Sequence, residues 1–176
     1  ILSFSACSTK NRAIWQGKGV EAPSWIRTLP KNEVYIYGVG SCPRTFDPED
    51  ARLNSADNAR LELAKSIEVR IRSAFISRQS DSSSIFSGDG VVNNFILEVT
   101  SGLVDIVLKS SEIESFWLDY EGSIGPNETA YSLVRMPRKM IIKGMKEKAE
   151  EKKFNNNELI ETKVDRMLDE IEKEMK

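Results

Sequence analysis

The 176 residues suffice for one compact domain with appendages, and a 40% share of hydrophobic residues provides for a buried core. Lys and Arg number 25 against 27 Asp and Glu, leaving a net charge of −2; neither sign dominates, which argues against a nucleic-acid binder, and no apolar run is long enough to cross a bilayer as a helix. Histidine, the commonest general base and metal ligand, is absent, and two cysteines, Cys7 and Cys42, are too few for a disulfide framework.

In chain order, Ile1-Leu2-Ser3-Phe4-Ser5-Ala6 is uncharged and small or apolar, as expected for residues 1–6 being the remnant of a signal-peptide apolar region. Residues 8–22 are polar and contain Gly17 and Gly19, so 7–22 is expected to be an anchor and flexible tether. Pro23-Ser24-Trp25-Ile26 begins a domain expected over 23–153, with Trp25 as a core or edge anchor. The β-branched and aromatic run Val34–Gly40 predicts a first strand. Its Gly38-Val39-Gly40 lacks the third glycine of a dinucleotide fingerprint, so these glycines are expected to let the backbone turn or approach another element closely.

Asp47-Pro48-Glu49-Asp50 is a helix start: a cap, a proline at the first position and acids in the first turn. The helix is predicted to run to about Ser66, with Leu53, Ala56, Ala59 or Arg60, Leu63 and Ile67 on the inner face and small residues Ala51, Ala56, Ala59 and Ala64 packing closely on a sheet. Residues 67–78 alternate with period two and predict a second strand, carrying Arg70, Arg72 and Arg78 as a stripe on one face. The serine-rich segment 79–90 is expected to be a loop, and Phe95, Ile96, Val99, Leu103 and Ile106 a second helical stripe containing Gly102.

Residues 112–121 and 129–136 predict a hairpin in which Trp117, Tyr120 and Tyr131 pair across strands. Pro137 closes it and opens a charged helix over 138–153; Asn155-Asn156-Asn157 breaks that helix, and 154–176 is expected to carry an amphipathic helix with Ile160, Val164, Met167, Ile171 and Met175 on one side. The expected class is α+β: a two-layer mixed sheet of about four strands with two helices on one face, in the order β-α-β-α-β-β, plus C-terminal helices.

Ser5-Ala6-Cys7 resembles the lipobox of bacterial lipoproteins, although Phe4 stands where Leu is usual. Further on, Pro23-x-Trp25, Tyr37-Gly38-Val39-Gly40-Ser41, Ala51-Arg52, Asn58-Ala59-Arg60-x-Glu62-Leu63-Ala64-Lys65-Ser66-Ile67 and Ala130–Pro137 together resemble the Lpp-twenty family of outer-membrane lipoproteins, over about 23–145. That family takes its name from a Helicobacter antigen, includes the flagellar basal-disc lipoprotein FlgP, and resembles the N-terminal domain of FlgT. The resemblance implies a lipid on Cys7, an outer-membrane location (Ser8 is not the Asp that marks inner-membrane retention in enteric bacteria), and assembly with copies of itself or with flagellar or other envelope proteins. It supplies no catalytic set.

From the residues themselves, no catalytic or metal-binding group is expected, no cofactor beyond the lipid, and no small-molecule or nucleic-acid ligand. Acidic side chains sit among Lys and Arg as on a solvated surface, and Cys42 lacks the His that would activate it. Two alternatives are a periplasmic regulator of a cell-wall enzyme and, far behind, a hydrolase. The candidate interaction residues are Arg70, Arg72 and Arg78, which could meet an acidic partner or form a solvated face, and Ile160, Val164, Met167 and Ile171, which could mediate oligomerisation or dock on their own domain.

Overall fold

A computed structural model describes residues 21–81 and 102–151. The described chain runs from a single 3-10 turn at Ser24–Ile26 to β1 (Tyr35–Cys42), α1 (Pro48–Asp81), α2 (Leu103–Ser110), β2 (Glu112–Asp119), β3 (Thr129–Pro137) and α3 (Arg138–Glu151). The class is α+β, as expected. Among the described residues the sheet has three strands rather than four, all pairs are antiparallel rather than mixed, and the order is β1-β3-β2.

The missing strand has a clear cause. Residues 67–78 belong to α1, which is 34 residues long. Alternate apolar positions 67, 71 and 75 are also four apart, so they satisfy a helical face as well as a strand face. No glycine or proline separates Ser66 from Ile67, so the capped helix has no reason to stop. Ile67 and Ile71 are buried while Val69 between them is 63% exposed, as a helix requires and a strand does not. Leu53, expected inside, is also exposed; the inner face is carried instead by Ser55, Ala56, Ala59, Leu63, Ile67 and Ile71.

The start of α1 is as predicted. The Asp47 carboxylate accepts the Glu49 N–H at 2.9 Å, the Asp47 carbonyl accepts the Ala51 N–H, and Pro48 is the first helical residue. The helix lies directly on β1 because Gly38 and Gly40 have no side chains: a Cβ on Gly40 would fall 2.1 Å from the Ala59 nitrogen, and one on Gly38 would fall 2.5 Å from the Ala59 carbonyl oxygen. At this seam the buried hydroxyls of Ser55 and Ser132 meet at 2.6 Å, and Ser55 also donates to the Arg52 carbonyl.

The core gathers Ile36, Leu63, Ile67, Ile71, Val134 and Met136 with Leu103, Ile106 and Val107 of α2 and Ile141, Ile142 and Met145 of α3. Among the described residues three helices therefore cover this side of the sheet, where two were expected. α3 approaches α2 at Gly144, where a Cβ would meet the Ile106 side chain at 2.7 Å. The predicted strand end and helix start hold: β3 closes at Pro137 and α3 opens at Arg138. Entry and exit are clasped together. The Asn32 carbonyl accepts from Nε and Nη2 of Arg138, and the Arg138 N–H donates to the Val34 carbonyl.

Candidate functional site

Most of the expected interaction residues fall where no side chain is described. Cys7, Ile160, Val164, Met167 and Ile171 lie outside the described residues, and Arg78 lies in α1 beyond its described side chains. The arginine stripe depended on a strand. On a helix, residues two apart point about 200° apart, so Arg70 and Arg72 face different ways. Arg72 is paired instead with Glu68, one turn earlier, at 2.6 Å.

One groove among the described residues, of about 620 Å³, lies between the 3-10 turn and the loop that joins β2 to β3, with Glu21, Arg27, Trp117, Asp119, Tyr120 and Ile124 on its walls. Trp117 belongs to the predicted cross-strand pair: it faces Tyr131 in register, ring centres 5.7 Å apart and tilted by 37°. Tyr120, expected to join them, lies beyond the end of β2. Trp25 is half-buried in the turn, which packs against β3.

The loop is organised by a carboxylate that sequence reasoning did not single out. Asp119 is 1% exposed. One oxygen accepts the Ser123 N–H at 2.8 Å and the Ser123 hydroxyl at 2.9 Å; the other accepts the Ile124 N–H at 2.8 Å and the Gly125 N–H at 3.2 Å. Burial pushes its pKa up, but the N–H groups of Ile124, Ser123 and Gly125 and the Ser123 hydroxyl outweigh that and hold it below the ordinary aspartate value. Nearby, burial and the Asp119 charge both raise the Tyr131 phenol. Gly122 and Glu128 take left-handed backbone angles, φ 71° and 60°, to close the loop, and the Glu128 N–H donates to the Asp119 carbonyl. The signal was present: an Asp followed by Gly122-Ser123-Ile124-Gly125 is a side chain ahead of a turn rich in accessible N–H groups. With both oxygens engaged and the acid form disfavoured, Asp119 is suited to holding a loop rather than to shuttling protons.

A second charged cluster ties all three strands. Arg135 of β3 donates from Nε to Glu112 at 2.7 Å and stands 2.9 Å from Glu114 in an ion pair whose angle is not that of a hydrogen bond, both acids on β2; its guanidinium lies 4.7 Å above the Tyr35 ring of β1. The hydrogen bond to Glu112 is the main reason its pKa is raised. Among the described residues no group of three or more His, Cys, Asp or Glu side chains could hold a metal ion, and no helix is long and apolar enough to cross a membrane. Cys42 is a buried free thiol whose Sγ contacts the Pro43 carbonyl.

No protein-family model matches the chain, and no curated protein matches it. The likeness to the Lpp-twenty lipoproteins rests on the residues quoted above.

Proposed function

We propose that this chain is a non-enzymatic bacterial envelope lipoprotein, held at the outer membrane by lipid on Cys7, whose domain serves as a structural or assembly component. The observation that carries this reading is Ser5-Ala6-Cys7, separated from Pro23 by the fifteen residues 8–22. Fifteen residues span at most about 50 Å, enough to let an anchored domain work clear of the lipid surface. Two or three acyl chains on one cysteine would hold it stably, since one chain binds only marginally. The engagement of Asp119, Arg135 and the Ser55–Ser132 pair inside the fold is compatible with a scaffold role. The flagellar basal disc is the sharpest version of the proposal, and copies of this chain or other envelope proteins are its partners.

Mass spectrometry of the full chain purified from membranes tests the anchor. The expected result is an acylated Cys7 and partition into detergent, with Cys7→Ser releasing the protein to the aqueous phase. An unmodified Cys7 thiol on an aqueous protein overturns the reading. Crosslinking in cells then separates assembly from regulation of a wall enzyme, and loss of motility with normal wall growth in a deletion strain marks the flagellar version.

A further inference from the structure

We propose that the outer edge of β1 is a pairing surface for the β1 of a second copy, running antiparallel about a two-fold axis at Gly38. This names a contact for the assembly role proposed above, and it does not require lipid on Cys7.

The register decides which backbone groups face outward. The Arg138 N–H donates to the Val34 carbonyl at 2.9 Å, and Ile36, Gly38, Gly40 and Cys42 stand opposite Met136, Val134, Ser132 and Ala130. In an antiparallel ladder every second residue bonds to a given neighbour. The even-numbered residues of β1 therefore bond to β3, and Tyr35, Tyr37, Val39 and Ser41 direct their N–H and C=O groups away from it.

Two of those groups are already closed. The Asn32 side-chain oxygen accepts the Tyr35 N–H at 3.0 Å, and the Asn58 side-chain amide donates to the Ser41 carbonyl at 2.8 Å. The N–H groups of Tyr37, Val39 and Ser41 and the carbonyls of Tyr35, Tyr37 and Val39 have no hydrogen-bond partner among the described residues. This pattern is its own complement. In the register centred on Gly38, Tyr37 faces Val39 of the second copy and Tyr35 faces Ser41. Every open donor then meets an open acceptor, and the two closed groups are the ones that face each other.

The side chains agree with this register. β1 has no charged residue, so the axis brings no like charges together. Tyr37 opposite Val39 is an aromatic and β-branched pair, a favourable cross-strand combination, and glycine faces glycine at the axis. An exposed strand usually carries a charge, a proline or a bulge against such pairing. β2 has them, with Glu112, Glu114 and a bulge between Ile113 and Ser115; β1 has none. An extended peptide from another protein would find the same ladder but no charge along β1 to select it.

The test uses the full chain carrying Cys7→Ser, so that lipid plays no part. Sedimentation velocity across a concentration series should show a dimer. Hydrogen exchange should show protection of the Tyr37, Val39 and Ser41 amides that grows with dimer fraction. Val39→Pro removes an outward N–H without touching the β1–β3 ladder, and should weaken the dimer by at least about tenfold while the monomer keeps its circular dichroism. If Val39→Pro fails to fold, Ser41→Pro at the exposed end of the strand makes the same comparison. A strict monomer overturns the proposal. So does a dimer in which those three amides exchange as in the monomer, or one that folded Val39→Pro or Ser41→Pro leaves unchanged. Amides protected only by a different protein also overturn it. The Cys7 mass measurement fails or succeeds independently of all these outcomes.

Discussion

The seam between α1 and β1 and the loop after β2 fix their backbones by opposite means. At the seam, Gly38 and Gly40 bring helix and strand together by having nothing between them, and Ser55 with Ser132 closes the little polarity that remains. In the loop, backbone that could not order itself is gathered around one buried charge. A dry contact of this kind depends on volume and ignores pH. A carboxylate-centred loop tolerates changes of size at its rim but depends on ionisation. The difference gives a ranked set of experiments.

The largest effect is expected at Gly40. In Gly40→Ala the new Cβ meets backbone of Ala59 and Ser55, which cannot turn aside, so α1 must lift from the sheet; the expected loss is about 3 kcal/mol or more in urea unfolding, against about 1–3 for ordinary overpacking. Asp119→Ala is expected to cost about 2–4 kcal/mol, because three N–H groups and a hydroxyl lose their acceptor together. Hydrogen exchange should show that loss concentrated at Ser123, Ile124 and Gly125.

The pH dependence follows from the direction of the Asp119 shift. Its folded-state pKa is depressed, so its contribution is fully present above the unfolded value, near pH 4, and is lost as pH falls through the lower folded value. Thermal melts from pH 6 to pH 2 should show this acid-limb loss in the native chain and a weaker one in Asp119→Asn. Ser55→Ala should be milder, at about 1–2 kcal/mol, and Ser55→Ala with Ser132→Ala should cost less than the two single changes added together, since neither hydroxyl is then left alone. Smallest of all, Arg135→Met should cost about 1 kcal/mol or less, with a dependence on salt, because Arg135 and Glu112 are partly solvated.

The two regions were unequally legible in the sequence. Asp47-Pro48 announced α1 because capping is local chemistry, whereas Gly38 and Gly40 allowed either a turn or a close approach until α1 is placed against them. The end of α1 was not legible: 67, 71 and 75 fit periods of two and of 3.6 alike, and only the burial of Ile71 beside an exposed Val69 separates them. The arginine stripe failed with that strand. Asp119 was missed because its partners are backbone groups, which leave no pattern of residue types beyond glycine and serine. Gly144 was not singled out in the sequence, because its role depends on Ile106 of a different helix packing against it. The edge position of β1 among the described residues depends on strand order, which no local run of residues encodes.

The position of β3 carries one more consequence. It is the middle strand of the sheet and the last of the three in the chain, pairing with β1 residues about a hundred positions earlier. During translation α1 can dock on β1 early, but β1 waits for its strand partner, and the β2–β3 hairpin is the strand pairing that closes by a local step. The strand that completes the sheet is thus synthesised late, and chain order alone delays closure of the sheet.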